Sequence, residues 1–280
     1  MRSEQSTIER IVMSRVPVVI LAGGQGARFD HESQVRPKPM IEVAGRPILQ
    51  HIIDSFSSQG FREFIVLGGH LVGQIRDHFV GTGHMIAMGL DESDRWWQFG
   101  VEYPDRYGIS VTVADTGKDS HTGIRLWRAR SLIRSRRFVL TYGDGLCNVS
   151  MHDVLEQHVT TGAGVTLTAV RPPGRFGVIH FGSEQSGLPY PSGMGLVDEF
   201  SEKTSRDWIN GGFMAVEPEF IEQYIEGEFE LESTALPELA ASGGLHAYRH
   251  DGYWHCMDTR RDRDQIEQDV KRHGRLPWMR

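Results

Sequence analysis

The segment VVILAGGQGARFDHESQVRPKPM, residues Val18 to Met40, begins as a buried-strand pattern and continues as a loop rich in glycine and basic residues. Its first part belongs to the apolar run Val16–Leu21, whose β-branched residues and following glycines predict a buried strand. In an open parallel sheet, ligands bind at the carboxyl ends of the strands. Glycine lets the backbone approach an anion closely because it has no Cβ, and Arg28 and Lys38 add positive charge. The segment therefore predicts a phosphate-binding loop at the edge of a parallel sheet.

Two widely used phosphate-binding motifs do not fit this loop. A Walker A loop needs a lysine directly after its last glycine, and the only such pair, Gly117–Lys118, lacks both the upstream glycine and the following Ser or Thr. A dinucleotide-binding fingerprint would use Gly24 and Gly26, but Phe29 stands where the third glycine belongs. A purely structural turn after the strand therefore remains an alternative for the loop taken alone.

The order of the predicted elements indicates the fold class. Apolar runs typical of strands alternate with segments of helical periodicity, and this alternation predicts a parallel sheet with helices on both faces. The predicted strands are Val16–Leu21, Phe64–Leu67, Ser110–Asp115, Phe138–Tyr142 and Val165–Val170, and the predicted helices are Ile48–Gly60, Leu71–Val80, Thr122–Ile133 and Met151–Thr161.

The later part of the chain has a different pattern. Short strand-like pieces separated by turns predict a small antiparallel lobe added to the parallel sheet. These pieces are Val178–Phe181, Gly195–Ser201 and Gly212–Val216, and helices are predicted near Pro218–Tyr224, Ser233–Ala241 and Thr259–His273. The predicted class is α/β, with a Rossmann-like, mostly parallel mixed sheet flanked by helices and a small antiparallel lobe.

The segment Gly81–Gly108 interrupts the alternation and is expected to be an inserted connection. Long connections in compact domains are usually functional or mobile. Its Trp96–Trp97 pair is expected to pack against the body of the chain, because large aromatic side chains are mostly buried. Contact with a partner or a neighbouring subunit is the alternative.

Charge and cysteine content argue against several classes of protein. The formal net charge of −7 argues against a general nucleic-acid binder, which needs a basic surface to displace counterions. The basic cluster Arg125–Arg137 is expected to be a solvated helix face. Apolar runs such as Val16–Ala22 are far shorter than the roughly 20 residues that span a bilayer. The two cysteines, Cys147 and Cys256, provide no disulfide framework, which is typical of a reducing cytoplasm.

Two aspartates have the setting of a divalent metal site. Asp144 lies in YGDG at the end of a predicted strand, and Asp258 lies in HCMDT just before the last predicted helix. Mg²⁺ prefers one or two carboxylates together with water and substrate phosphates. An aspartate before a glycine is more often a turn former, so the prediction depends on the pair together with the glycine loop, Lys203 and the turn Asn210–Gly211–Gly212. Cys256 is expected to be a buried thiol rather than a soft-metal ligand.

Several short motifs occur in the order of a known family. They are LAGGxGxR and PKPM (Leu21–Arg28 and Pro37–Met40), YGDG (Tyr142–Gly145), PPGRFG (Pro172–Gly177), EK (Glu202–Lys203), NGGF (Asn210–Phe213) and MDT (Met257–Thr259). From about Val18 onward, the chain resembles the sugar-1-phosphate nucleotidylyltransferases. The blocks DTG, TYGDG and PPGRFG favour the cytidylyl branch of that family, and the ordered set is far more specific than any one motif.

The resemblance implies a fold of the nucleotide-diphospho-sugar transferase type and an enzyme that needs Mg²⁺. In the implied reaction, an oxygen of a sugar 1-phosphate attacks the α-phosphorus of a nucleoside triphosphate in line, and pyrophosphate leaves. CTP and α-D-glucose 1-phosphate are the first choices of substrate, with a CDP-sugar as product. The resemblance implies a homo-oligomer, whereas the cysteines, the net charge and the short apolar runs predict a protein of the cytoplasm without contact to nucleic acid or membrane. Residues 1–15 are expected to be a flexible extension, and residues 16–280 are expected to form one domain. The domain would consist of a nucleotide-binding part (about 16–171) and a sugar-binding and C-terminal part (about 172–280).

The resemblance also assigns roles to individual residues. Arg28, Lys38 and Asp144 are implied to be catalytic, and Asp144 and Asp258 are implied to bind the metal. Arg28 is the first choice for transition-state charge. The implied nucleotide-binding residues are Leu21, Ala22, Gly23, Gly24, Gly26, Arg28, Lys38, Thr122 and Gly123, the last two near the base. The implied sugar-phosphate-binding residues are Gly177, Glu202, Lys203, Asn210 and Gly211.

Departures from the family pattern leave the substrates open. Ile124 stands where the cytidylyl branch has a second glycine, and its branched side chain could crowd the base pocket. Thr204 replaces a proline after EK, and Ala27 and Phe29 replace Thr and Leu in the loop. The same chemistry with another base, or with another hexose or a heptose 1-phosphate, is therefore an alternative. A second alternative is a non-catalytic nucleotide-sugar-binding subunit, since a fold does not determine function.

Overall fold

The strand predicted at the head of the chain is present in the computed structural model as β1, Val18–Ala22, and all five of its residues are buried. The structure describes residues 14–24, 35–90, 95–103, 106–172, 178–181, 197–201, 207–225 and 230–280. β1 has a parallel neighbour on each edge and therefore lies inside the sheet. Its side chains alternate between two core clusters, with Val18 and Ile20 on one face and Val19 and Leu21 on the other.

The other strands extend this sheet or form small separate pairs. They are β2 (Glu42–Val43), β3 (Arg46–Pro47), β4 (Glu63–Gly68), β5 (His84–Leu90), β6 (Arg95–Tyr103), β7 (Arg106–Asp115), β8 (Phe138–Tyr142), β9 (Gly145–Cys147), β10 (Val165–Val170), β11 (Val178–Phe181), β12 (Val197–Ser201), β13 (Ile209–Val216), β14 (Leu245–His250) and β15 (Trp254–Cys256). Nine of the described strands form one sheet in the order β14-β10-β13-β8-β1-β4-β7-β6-β5. The separate antiparallel pairs are β2–β3, β9–β15 and β11–β12.

Most strands of the nine-stranded sheet run in one direction. The pairing of each neighbour shows that only β6 and β13 oppose the other seven. The carboxyl ends of β1, β4, β7 and β8 therefore lie at the same edge of the sheet. The predicted Rossmann-like, mostly parallel mixed sheet is confirmed.

Helices cover both faces of the sheet, as the alternating pattern predicts. The described α-helices are α1 (Ile48–Ser58), α2 (Val72–Thr82), α3 (Thr122–Arg128), α4 (Met151–Thr161), α5 (Glu219–Tyr224), α6 (Leu236–Ala241) and α7 (Arg260–His273). Apolar residues of α1, α2, α4 and α7 pack in the core cluster on one face, and those of α3, α5 and α6 pack in the cluster on the other. A π-helical turn, Leu231–Ala235, precedes α6. Within the described ranges, no helix is long and apolar enough to cross a bilayer.

Two predictions about strands need correction. The segment Gly81–Gly108 is not an inserted connection, because most of it forms β5 and β6 and extends the sheet beyond β7. Trp96 and Trp97 lie in β6 and pack against the two opposite core clusters, so the expectation of self-packing is confirmed. Gly212–Val216 belongs to β13 and pairs with β8 and β10 in the main sheet, instead of lying in the antiparallel lobe.

Most of the predicted N-terminal extension, residues 1–13, lies outside the described residues.

Candidate active site

A cavity of about 520 Å³ opens at the carboxyl ends of β1 and β8. This is the edge of the sheet at which the glycine loop was predicted to bind a ligand. Eight of the predicted site residues line the cavity: the backbone segment Leu21, Ala22, Gly23 and Gly24, and the side chains of Lys38, Thr122, Asp144 and Asp258. The structure thus brings together the loop, the lysine and both aspartates around one space.

The described start of the glycine loop is held against the protein at Gly23. The Gly23 carbonyl accepts hydrogen bonds from the backbone N–H of His70 at 3.2 Å and from Nη2 of Arg125 at 2.9 Å. A Cβ added at Gly23 would overlap the Arg125 guanidinium. Glycine is therefore needed at position 23 for packing, in addition to any contact with a phosphate.

Arg125 corrects the prediction that the cluster Arg125–Arg137 is a solvated face. Arg125 is only 3% exposed, whereas its neighbours Arg128 and Arg130 are exposed. Burial, and then the charge of Arg128, lower the pKa of Arg125 to about 10, so the guanidinium remains charged at neutral pH. Its hydrogen-bond acceptors are the carbonyl oxygens of Gly23, Gly68, Gly117 and Lys118 and the hydroxyl of Thr116. Arg125 therefore joins the glycine loop to the ends of β4 and β7.

Lys38 lies between the two aspartates that were predicted to bind metal. Its Nζ donates to Oδ2 of Asp144 at 2.7 Å and to Oδ1 of Asp258 at 2.6 Å. The lysine side chain is 12% exposed. Burial alone would lower the pKa of Lys38, but the charges and hydrogen bonds of Asp144 and Asp258 outweigh it and raise that pKa above its ordinary value. The ammonium group is charged, and two carboxylates converge on this one cation.

Local folding brings the two aspartates together although they are far apart in the sequence. Asp144 lies in the turn between β8 and β9, and the Gly143 N–H in this turn donates to the Leu21 carbonyl at 2.9 Å. β9 pairs with β15, and the Met257 N–H donates to the Asp144 carbonyl at 2.9 Å. The turn is thus joined to the end of β1 on one side and to the segment that carries Asp258 on the other.

The ion pairs of Lys38 predict a pH-dependent contribution to stability. Because folding raises the pKa of Lys38, this contribution is fully present below the pKa of an unfolded lysine, about 10.4, and is lost as the pH rises through the higher folded value. We expect the free energy of unfolding to fall more steeply above about pH 10 in the wild type than in Lys38→Met. Urea unfolding at a series of pH values measures both slopes. Lys271→Met, which removes an exposed lysine of α7, should keep the wild-type slope, and equal slopes for Lys38→Met and wild type would contradict the raised pKa.

The donors around Lys38 fit a divalent cation. One ligand atom each from Asp144, Cys256 and Asp258 lies within 4.8 Å of the others. Carboxylate oxygens suit Mg²⁺, whereas sulfur suits softer metals. Burial, followed by the charges of Asp144 and Asp258, raises the pKa of Cys256, so its partly buried thiol is neutral. The two carboxylates, with the Lys38 ammonium as a stand-in cation, are the part of this set that fits Mg²⁺.

Another part of the lining contains residues for which the sequence predicts no role in the site. Ser120, His121 and Glu230 lie in it beside Thr122, and Tyr142 lies at the end of β8. Thr122 and Tyr142 both donate their hydroxyl hydrogen to the carboxylate of Glu232, which follows Glu230 by two residues. Burial, and then the charge of Glu232, raise the pKa of Tyr142. Glu232 therefore fixes the π-helical turn against both α3 and the end of β8.

The predicted sugar-binding residues are only partly described. Asn210 and Gly211 lie at the start of β13, where the Asn210 side-chain oxygen accepts from the Gly212 N–H at 2.9 Å and the Gly211 carbonyl accepts from Trp254 Nε1 at 2.8 Å. Among the described residues around the cavity, the lining includes neither of them, nor Gly123 or Ile124. Gly26, Arg28, Gly177, Glu202 and Lys203 lie outside the described residues, as do Ala27, Phe29 and Thr204. The roles assigned to all these residues remain predictions.

Comparison with known proteins extends these observations. A family profile described as "Nucleotidyl transferase" matches residues 17–255. The chain is 35% identical over 264 residues to the glucose-1-phosphate cytidylyltransferase of Salmonella typhimurium, covering 93% of this chain and 97% of that one. A relative from Bacillus subtilis is 34% identical over 245 residues, which cover 86% of this chain and 91% of its own. Among solved structures, HddC from Yersinia pseudotuberculosis has a TM-score of 0.65 at 20% identity, with 91% of this chain and 99% of that chain covered, and it confirms the fold.

These matches test the resemblance seen in the motifs. The family profile spans most of the chain, and both bacterial relatives exceed 30% identity over most of their length. The predicted class of enzyme, a nucleotidyltransferase, is confirmed. The chain belongs to the nucleotidyl transferase family and, within it, to the sugar-1-phosphate nucleotidylyltransferases that its ordered motifs indicate.

Proposed function

We propose that the protein transfers the cytidylyl group of CTP to α-D-glucose 1-phosphate in a Mg²⁺-dependent reaction that gives CDP-glucose and pyrophosphate. The observation that carries this proposal is the Lys38 ammonium, held between Asp144 and Asp258 in a cavity bordered by the glycine loop. The activity named for the Salmonella relative supports the choice of CTP and glucose 1-phosphate.

The proposed reaction brings two anions together, and this sets the main task of the protein. At about 4 Å and an effective dielectric constant near 20, each like-charge pair costs about 4 kcal/mol. Lys38 supplies a charged ammonium in the cavity, and Arg28 and Lys203 are proposed to add positive charge on the triphosphate and on the sugar phosphate. Fixed charges of this kind stabilise the negative charge that develops on the phosphate oxygens.

In this reaction, the described residues of the cavity are proposed to bind and orient the reactants. The raised pKa of Lys38 keeps its proton in place, so Lys38 acts as a charged hydrogen-bond donor. The backbone of Gly23 and Gly24 borders the same space, where it is proposed to hold the triphosphate. In-line attack then depends on keeping the sugar phosphate on the side opposite to the leaving pyrophosphate.

Asp144 and Asp258 are proposed to hold the Mg²⁺. When bound, this cation neutralises negative charge on the phosphate oxygens and so favours attack at phosphorus. Lys38 contacts the same two carboxylates, so we propose that Lys38 turns from them toward the triphosphate in the loaded enzyme. One lysine would thereby stabilise the two carboxylates before loading and the phosphates afterwards.

We further propose that the protein forms a homo-oligomer in the cytoplasm and contacts neither nucleic acid nor membrane. β5 is an outer strand of the main sheet, and Met85, Ile86 and Met88 on it are 46%, 56% and 50% exposed. An outer strand with apolar side chains and open backbone groups is usually covered. Both cysteines are unpaired, which agrees with a reducing compartment.

Pyrophosphate release tests the proposed function directly. CTP, UTP, GTP and ATP are each combined with glucose 1-phosphate, another hexose 1-phosphate and a heptose 1-phosphate in the presence of Mg²⁺. CTP with glucose 1-phosphate should give the highest kcat/KM, and EDTA should abolish the release. A different best pair would correct the substrates, and no release with any pair would favour a non-catalytic nucleotide-sugar-binding subunit.

A further inference from the structure

Most polar side chains around the cavity already use their hydrogen-bonding groups inside the protein. Ser120 Oγ donates to the Thr116 carbonyl at 2.6 Å and accepts from Arg128 Nη1 at 2.9 Å. Thr122 Oγ1 donates to Glu232 at 3.1 Å and accepts from the Leu231 N–H at 2.9 Å. A hydroxyl has a single hydrogen to donate, so neither side chain can donate a hydrogen bond to a ligand while these contacts last.

The Tyr142 hydroxyl and the cationic groups of Arg125 and Lys38 also make their hydrogen bonds inside the protein. The Tyr142 hydroxyl donates to Glu232, and the Arg125 guanidinium is shared among backbone carbonyls and Thr116. Lys38 bonds both carboxylates and belongs to the phosphate-binding part of the cavity. Thr122, the residue implied to lie near the base, therefore offers little recognition of its own.

His121 and Glu230 differ from these residues in the hydrogen bonding of their side chains. Both line the cavity beside Thr122, and their side chains are 53% and 58% exposed. Nδ1 of His121 lies 3.8 Å from Oε1 of Glu230, which is too far for a hydrogen bond. Within the part of the chain that the structure describes, neither side chain makes a hydrogen bond, so both remain available to a ligand.

We infer that Glu230 selects the base of the nucleoside triphosphate by accepting a hydrogen bond from its exocyclic amino group, with His121 as a donor beside it. The inference rests on the proposed function and names the residue that determines its choice of base. An ionised carboxylate can only accept hydrogen bonds. Cytosine presents an amino group at C4 as donor, whereas uracil and thymine present an oxygen there that repels the carboxylate. Glutamate is also used to recognise the cytosine amino group in protein–DNA complexes.

This assignment explains how a cytidylyl preference can coexist with Ile124. Ile124 is not among the described residues that line the cavity, so its side chain does not narrow the described space beside Glu230. The discrimination then comes from hydrogen bonding rather than from the width of the pocket. A carboxylate that faces the base edge favours cytosine over uracil because it accepts from the cytosine amino group and can form no hydrogen bond with the uracil oxygen.

Equilibrium binding of CTP and UTP, measured by calorimetry with Mg²⁺ and without sugar phosphate, tests the inference. We expect the wild type to bind CTP at least about tenfold more tightly than UTP, since one good hydrogen-bonded pair discriminates by about that much. In Glu230→Gln, the amide can rotate and donate a hydrogen bond to the uracil oxygen. The ratio of CTP affinity to UTP affinity should therefore fall about tenfold. Glu230→Ala should lower the affinity for CTP and, because it also removes the repulsion of the uracil oxygen, should lower the ratio of CTP affinity to UTP affinity. Glu222→Gln, an exposed position on α5 whose carboxylate lies 3.6 Å from Arg130, is the matched control and should keep the wild-type ratio.

The outcomes separate this inference from the proposed function. An unchanged CTP-to-UTP ratio in both Glu230 variants, with thermal unfolding confirming that they fold, overturns the role of Glu230. A wild type that prefers UTP overturns it as well. A wild type that binds no nucleoside triphosphate contradicts the proposed function itself.

Discussion

The variant Asp144→Asn should lose nearly all pyrophosphate release at ordinary Mg²⁺ concentrations, with kcat/KM at least about 100-fold below that of the wild type. Asparagine keeps the size of the side chain and one oxygen, but it removes the negative charge. Asp144 and Asp258 together hold the Lys38 ammonium, and one carboxylate attracts a divalent cation far less strongly than two. The proposed metal site and the position of Lys38 are therefore both affected.

The dependence of the Asp144→Asn reaction rate on Mg²⁺ concentration distinguishes a weakened metal site from a damaged fold. Because binding follows mass action, higher Mg²⁺ should restore part of the rate. Thermal unfolding measures whether the variant is folded. The control is Asp77→Asn on α2, whose exposed carboxylate pairs with Arg76 at 2.6 Å, and it should react at the wild-type rate. Wild-type rates for Asp144→Asn would place the metal site elsewhere.

An element of the fold could be predicted where its own short segment shows the complete hydrophobic pattern of a strand or a helix. The apolar run that contains β1 ends in glycines, and Ile48, Ile52 and Phe56 recur at helical spacing in α1. The position of β13 could not be predicted, because the segment INGGFMAV does not show which strands it pairs with. The edge strand β5 could not be predicted, because it exposes Met85, Ile86 and Met88 and therefore lacks the pattern of a half-buried strand.

The candidate site could be predicted where residue type and position coincide. Asp144 and Asp258 were identified because carboxylates at strand ends suit a metal, and Lys38 because it follows the glycine loop. Their direct contact could not be predicted, since it depends on the turn after β8 and on the pairing of β9 with β15. The burial of Arg125 could not be predicted from the pattern of charges, because it stands among exposed arginines in the sequence. The available signal was its place directly after the segment Thr122–Ile124, which the family resemblance associates with the base.

Arg125→Lys is expected to lower the free energy of unfolding by about 3 kcal/mol, although it conserves the charge. The planar guanidinium reaches carbonyl groups on several segments at once, including those of Gly23 and Gly117. Lysine has three donors on one nitrogen atom and cannot reproduce this fork. The acceptors that it leaves unpaired in a buried position each cost about 1–3 kcal/mol. Because Gly23 would lose its contact with the guanidinium, the KM for the nucleoside triphosphate should also rise.

The exposed arginine of the same cluster provides the matched control for Arg125→Lys. Arg130 is exposed and stacks on Trp127 with its guanidinium carbon 4.0 Å from the ring centroid. Arg130→Lys should therefore change the free energy of unfolding by no more than about 1 kcal/mol, since a cation–π contact at an exposed site contributes about 0.5–1 kcal/mol. Urea unfolding of both variants and of the wild type measures the difference. If both arginines belonged to a solvated face, the two substitutions would change the free energy of unfolding equally. If the Arg125 guanidinium is buried and supports the glycine loop, only Arg125→Lys lowers the free energy of unfolding strongly and raises the KM for the nucleoside triphosphate. Equal effects of the two substitutions would contradict the role assigned to Arg125.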